Sequence, residues 1–497
     1  MKKSSHVRAS HVNSGTSIRR EDLRSHGDDR REMRHPKLTV SVEPSDVTAY
    51  GGLALAARLS ASLKLPQAID RDIELLRRHS PFHESDHVLT HVYNLFVGGD
   101  NIEDIADLQH SEAVRRLLGA ERLPDPTTAG DFLRRFAQAD IDALDRVTDE
   151  MHRRVWSRRY GRKKQELGLL DIDSHVHHVY GTQKEGADFT YKGGFGYHPL
   201  ILSLAATQEC LRLINRPGNI ASADGAAAQI DGVAPLLNSR FERVIVRGDS
   251  AFARQDIYQA CQRQGFHFAM VSPNQRNFEA LADAIPERSW RVFEPHAESA
   301  AGQRCANRRK RRKNLRRAKA RERGKRDIKL EKQWMAEIAY TPTRSETTYR
   351  LIIRRQRIEE SSQGRLFELW RYRYAITNLP RTYSTAQVLR LTYGRCDQEN
   401  IIEQLQSGVA AMRMPTGTLL ANAALLACAR IAHNLKSWLA MLALPEEVMR
   451  WEWKRFRKAF VFVAARVVRK ARQTLVRIAD SHRFADALRR GIVRLQT

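Results

Sequence analysis

Three acidic residues stand where carboxylates can act together. Asp173 closes the apolar run Leu169-Leu170-Asp171-Ile172-Asp173, which reads as a strand. Asp249 follows the strand Val244-Ile245-Val246, and Glu399 lies mid-helix much later in the chain. Strand alternation puts Asp171 on the same face as Asp173 and makes it the rival for the first position. Glu403, one helical turn past Glu399, is the weaker rival for the third. Carboxylates at such places are hard oxygen donors suited to Mg2+ or Mn2+, which bind phosphate oxygens alongside the protein. Two such ions about 4 Å apart activate a water or a 3′-hydroxyl and steady the leaving oxygen of an in-line displacement.

A second constellation suggests another enzyme. His175-Val176-His177-His178 with the downstream Tyr191 has the parts of an HUH-type endonuclease, in which histidines hold the metal and the tyrosine attacks the phosphodiester. Histidines alternating along a strand more often pack or face solvent.

The chain around these residues is basic. Its 497 residues include 84 Lys+Arg against 57 Asp+Glu, a formal charge of +27, and so large a positive field implies a polyanionic partner. Residues 308–326 hold thirteen lysines or arginines and one acid. Charges this crowded repel one another, so Arg308, Arg309, Arg311, Arg312, Arg316 and Arg317 are candidate DNA-backbone contacts. Trp370-Arg371-Tyr372-Arg373-Tyr374 alternates aromatic and basic residues along a strand. The aromatic side would pack and Arg371 and Arg373 would meet phosphate, with base stacking on Trp370 a lesser alternative. A non-enzymatic DNA-binding regulator explains the charge equally well, but not the placement of the acids. Apolar runs fall well short of the ~20 residues of a membrane span, and no apolar segment follows the N-terminal lysines. The expectation is a cytoplasmic, nucleoid-associated protein without membrane contact. Five cysteines without a C-x-x-C pair argue against a zinc ribbon or a disulfide framework.

The elements that must position the acids follow from periodicity. Residues 1–38 are polar and read as a disordered arm, with Met33 as an alternative start. Residues 39–160 carry helical patterns, including Val88 to Phe96 with Ser85 and Asp86 as caps and Gly98-Gly99 as the stop. Residues 161–274 alternate: the Asp173 strand, a hairpin of His198 to Ala206 and Glu209 to Asn215, a helix from Ala226, the strand before Asp249, a helix capped by Gly265, and the strand Phe266 to Val271. That is an α/β pattern, whose ligands sit at strand ends. Residues 275–378 read as a β-rich insertion interrupted by the basic stretch. In 379–440, Ser384 with Gln387 opens a capping box for a helix reaching about Gln406, and another helix spans Leu419 to Leu442. Residues 441–497 read as basic and helical, with a helix from Glu447 to Arg490.

At the acids the sequence resembles the DDE transposases of bacterial insertion sequences, specifically the group numbered thirteen-eighty within the IS-four-like superfamily. The matching stretches are Pro124-Asp125-Pro126-Thr127-Thr128 with Phe132 to Phe136, Leu170 to Ser174, Gln183 to Ala187 with Gly196 to Leu200, Arg247-Gly248-Asp249-Ser250-Ala251-Phe252, and Glu399 to Glu403. Their order and spacing over residues 35 to 440 are the specific feature. The resemblance implies an RNase H-like mixed sheet with flanking helices, an inserted β-rich region before the last catalytic helix, and Asp173, Asp249 and Glu399 as catalytic metal ligands for Mg2+ or Mn2+. It implies end cleavage and strand transfer on double-stranded DNA, with terminal inverted repeats and target DNA as partners and a homodimer in the synaptic complex. Arg395 and Glu399 keep their spacing in the third-acid signature Tyr-x-x-Arg-x-x-x-Glu-x-x-x-x-x-x-Lys; Arg395 and the nearby Tyr393 join Lys192 and Arg247 as DNA-contact candidates. Three departures stand out. Tyr393 is one residue too close to Arg395, Gln406 replaces the lysine, and His175 stands where relatives carry threonine.

Overall fold

The computed structural model describes residues 46–294, 328–343, 345–360, 369–471 and 473–496. The arm 1–38 and the basic run 308–326 lie outside the described residues. After a two-residue strand β1 (Val47–Thr48), seven helices follow: α1 (Leu53–Ser62), α2 (Leu65–Asp72), α3 (Glu84–Val97), α4 (Ile105–His110), α5 (Glu112–Leu118), α6 (Pro126–Leu133) and α7 (Gln138–Tyr160). Their boundaries have local causes. Pro126 sits in the first turn of α6, where a missing N–H costs nothing, behind Asp125, whose carboxylate accepts from the Thr128 N–H at 3.0 Å. Gly98 ends α3 in the left-handed conformation (φ 116°). At the start of α3 the cap is His83, not Ser85 or Asp86. Asp86 instead reaches back to the His83 N–H at 2.8 Å, while Ser85 is tied to Asp70 through its N–H and hydroxyl at 2.8 and 2.9 Å.

The main sheet grows around β2 (Gln165–Ser174). A small three-stranded sheet of β3 (His177–His178), β4 (Asp188–Phe189) and β5 (Phe195–Tyr197) precedes the hairpin β6 (Leu200–Leu204) and β7 (Glu209–Ile214). Then come α8 (Ala226–Arg240), β8 (Phe241–Gly248), α9 (Gln255–Arg263), β9 (His267–Ser272), α10 (Phe278–Asp283), β10 (Arg291–Val292), β11 (Ile328–Tyr340), β12 (Tyr349–Glu360) and β13 (Leu369–Thr377). The nine strands run β10-β11-β12-β13-β9-β8-β2-β6-β7. β2 pairs antiparallel with β6 and parallel with β8, which is parallel to β9. The β-rich insertion therefore extends the same sheet, through antiparallel pairing of β13 with β9 from Tyr374↔Ser272 to Thr377↔Ala269.

Beyond the sheet the structure departs from the expected helices in two places. The helix read from Ser384 to Gln406 is two, α11 (Thr385–Tyr393) and α12 (Cys396–Glu403), because the chain breaks at Gly394 and Arg395. A Cβ on Gly394 would lie 2.6 Å from the Arg390 carbonyl, so only glycine fits this turn. The C-terminal region is not one helix. After α13 (Leu419–Leu442) it runs through α14 (Trp453–Phe460), the hairpin β14 (Ala465–Lys470) and β15 (Gln473–Ile478), and α15 (Ala485–Arg494). β14 pairs with β1, joining the chain's C-terminal region to the start of its described part.

α13 organises the core. It is buried along nearly its whole length, as a predominantly apolar helix tends to be, and its few polar residues are buried with partners. Its polar residues cap the outer edge of β7, the last strand of the sheet: Asn434 accepts from the Cys210 N–H and donates to the Cys210 carbonyl, each at 2.8 Å, and Arg430 donates to the Leu211 carbonyl at 3.1 Å. An edge strand closed this way cannot recruit another chain. Glu209, fully buried, accepts from His152 at 2.8 Å, Trp156 at 3.0 Å, Trp438 at 2.9 Å and Thr207 at 2.6 Å. One carboxylate thereby ties α7, α13 and β7 together. Among the described residues no helix is long and apolar enough to cross a membrane.

Buried histidines should make the fold acid-sensitive. Desolvation holds His91 and His433 down to about 4, below the ~6.5 of a free imidazole. Their neutral forms belong to the folded state, so the stability they contribute is present above pH ~6.5 and lost as pH falls towards 4. The urea midpoint should drop steadily over that window; a midpoint unchanged between pH 7 and pH 4.5 would refute this.

Candidate active site

Asp173 and Asp249 sit at the C-terminal ends of two adjacent parallel strands, β2 and β8. Asp173 accepts the Ser174 N–H at 2.8 Å, and Asp249 caps a short turn through the Ala251 N–H at 2.9 Å. Gly248, the residue before Asp249, is packed so tightly that a Cβ there would meet Met270 and Phe252 at 2.8 Å, which explains a glycine immediately before the acid. The Asp173 carboxyl is pushed up to about 6. Burial is the main cause, the Arg395 guanidinium opposes it, and the negative charge of Asp249 adds to it. The two carboxylates thus feel one another.

Arg247, a DNA-contact candidate by sequence, is buried inside the fold. It is 3% exposed and forms a two-pronged pair with Asp171, both contacts 2.7 Å. Its remaining donors reach the Leu391 and Gly394 carbonyls at 3.2 and 3.3 Å. Asp171, fully buried in that pair, is occupied structurally. This linkage fixes the break between α11 and α12, and from that break Arg395 returns to β2. Arg395 donates to the Ile172 carbonyl at 2.8 Å and to Asp173 at 3.2 Å, so it attends the first acid rather than Glu399. Tyr393 is also packed inward: the Arg354 guanidinium lies 4.3 Å over its ring, and its hydroxyl reaches the Tyr374 carbonyl at 3.5 Å. The break at Gly394 puts Tyr393 and Glu399 on two different helices.

Glu399 is exposed on α12. The buried side of α12 docks on the sheet through Gln398, which accepts from the Ser203 hydroxyl on β6. Glu403 is engaged locally by Gln404 at 2.7 Å and Ser407 at 2.8 Å. Asp173, Asp249 and Glu399 do not close into a three-donor set within 4.8 Å among the described residues, and neither do His175, His177 and His178 with an acid.

Around the two aspartates the structure adds His198, which spacing alone did not single out, and places the candidates Tyr191 and Lys192 beside it. His198, buried within the stretch Gly196 to Leu200, reaches the Ser174 hydroxyl and the Ile220 carbonyl, each at 2.9 Å. Tyr191, 67% exposed, has its ring 5.4 Å from that of His198. The exposed Lys192 lies over Tyr191 at 5.7 Å. The stretch Gln183 to Ala187 is structural: Lys184 donates to the Met414 carbonyl, and Glu185 accepts from the Leu419 N–H at 3.0 Å, capping α13. On β13 the alternation is as read. Arg371 and Arg373 are exposed while Tyr374 is buried. Trp370 is not free for a base, because the buried Arg355 guanidinium is sandwiched between it and Trp290 at 4.2 and 4.1 Å.

A family model of the transposase DDE domain, group 1, matches residues 30–497. The chain belongs to this DDE transposase family. No curated protein matches it. Among solved structures it is similar to the cryo-EM piggyBac transposase synaptic complex with hairpin DNA, with 10% identity, a TM-score of 0.32, and coverage of 90% of this chain and 85% of that one. In this DDE-family chain the sheet delivers two acids to neighbouring strand ends, while the third candidate is carried on a helix that follows the inserted strands.

Proposed function

We propose that this chain cleaves double-stranded DNA at the ends of a bacterial insertion sequence and transfers the freed strands to target DNA. The observation that carries the reading is the pair Asp173 and Asp249 at adjacent parallel strand ends, close enough for one charge to raise the other's pKa. Strand order supports an RNase H-like core: β7-β6-β2 antiparallel, then β8 and β9 parallel to β2. Two hard carboxylates, half-buried at strand ends, suit Mg2+ or Mn2+. Asp173 and Asp249 would hold the metal, with Glu399 completing the donor set; the metal supplies charge neutralisation and activation of the attacking oxygen. Arg395 keeps one oxygen of Asp173 oriented, and the pair Asp171–Arg247 keeps Arg395 in place. Lys192, Arg371 and Arg373 offer exposed charge to phosphates; terminal inverted repeats and target DNA are the partners, held by two copies of the chain in a synaptic complex.

The test is an end-cleavage and joining reaction on DNA carrying the sequences that flank the gene. The expected products have free 3′-hydroxyl ends that become joined to target DNA. A covalent adduct between DNA and Tyr191 would instead establish the histidine–tyrosine chemistry, and tight DNA binding without cleavage under any divalent ion would establish the regulator.

A further inference from the structure

Far from the two aspartates in sequence, His79, His83 and Glu84 bring one donor atom each to within 4.8 Å of one another. They are the one such group of three among the described residues. Glu84, the first residue of α3, is fully buried. Its Oε1 accepts the Leu75 and Leu76 N–H groups at 3.1 and 2.9 Å, which fixes the carboxylate plane. Oε2 is then buried without a hydrogen bond and lies 3.3 Å from His79 Nδ1. The His79 and His83 rings have centroids 5.2 Å apart. Bonds of about 2.0–2.1 Å to nitrogen and oxygen in a tetrahedral zinc site separate neighbouring donors by roughly 3.3 Å. The Nδ1 to Oε2 distance matches that edge. A carboxylate oriented by backbone N–H groups is also how metal ligands are commonly fixed.

We propose that His79, His83 and Glu84 form a Zn2+ site that fastens the segment after α2 to the start of α3. Two imidazoles and one carboxylate select a borderline transition ion over Mg2+ or Ca2+, and three protein donors leave a fourth position for water. The site lies beside Arg77 and Arg78, both exposed, and would hold their stretch of chain in one place. It is independent of the proposed catalytic acids.

The full-length chain, stripped with chelator, is titrated with Zn2+ and, separately, with Co2+ while visible ligand-field bands are recorded. The wild type should bind one more equivalent than His79→Ala or His83→Ala, show bands of four- or five-coordinate Co2+ that both variants lack, and gain thermal stability with Zn2+ that neither variant gains. Both histidines are exposed, so these variants keep the fold. Glu84→Gln should weaken Zn2+ at least tenfold. Equal stoichiometry and equal affinity in wild type and both histidine variants would overturn the site, whatever ions the aspartates bind.

Discussion

Asp173→Asn and Asp249→Asn should each abolish DNA end cleavage, by about a thousandfold or more, while end binding stays close to wild type. Each change removes a donor charge with almost no change in shape, and a loss of roughly 4 kcal/mol of transition-state stabilisation corresponds to that factor. Asp173→Asn should not weaken the fold. The carboxyl is already pushed up to about 6, mainly by burial, so folding disfavours its charge at neutral pH and an amide removes that cost. Loss of cleavage with an unchanged denaturation midpoint is the expected combination. If Asp173→Asn cleaved DNA normally, the assignment of the first acid would fail.

Asp171→Asn should do the reverse kind of damage. Its partner Arg247 has no comparable replacement and both side chains are buried, 0% and 4% exposed. Removing one charge from such a pair strands the other in low dielectric, at a cost of about 3–5 kcal/mol. The urea midpoint should fall sharply, and cleavage should fall with it as Arg395 loses its anchor. Asp171→Leu combined with Arg247→Met should recover much of the stability without recovering activity. A wild-type midpoint for Asp171→Asn would show that the pair does not support the fold. The two neighbouring acids on one strand face are thereby separable, one by catalysis and one by stability.

That separation marks where the sequence stops being informative. The strands around both aspartates were legible because apolar runs bounded by turns report buried parallel strands, and α3, α8, α9 and α13 were legible from their period and stops. Asp171 was not distinguishable from Asp173, because its partner Arg247 is 76 positions away and alternation fixes only a face. The break at Gly394 was hidden by a strong capping box at Ser384 and Gln387, which announces a helix but says nothing of its end. The C-terminal hairpin was missed because its Val- and Arg-rich strands meet at Ala471, which adopts φ 53°, a turn that alanine does not advertise. The clasp of His79, His83 and Glu84 depends on the two backbone N–H groups that orient Glu84, and no spacing rule reveals those.

The most direct measurement is a single-turnover cleavage assay on end-bearing DNA with the wild type and Asp249→Cys, each in Mg2+ and in Mn2+ or Cd2+. A thiolate is a poor ligand for Mg2+ and a better one for softer ions. If Asp249 holds the catalytic metal, Asp249→Cys is inactive in Mg2+ and regains cleavage in Mn2+ or Cd2+. Cleavage by Asp249→Cys in Mg2+ at the wild-type rate would contradict that role.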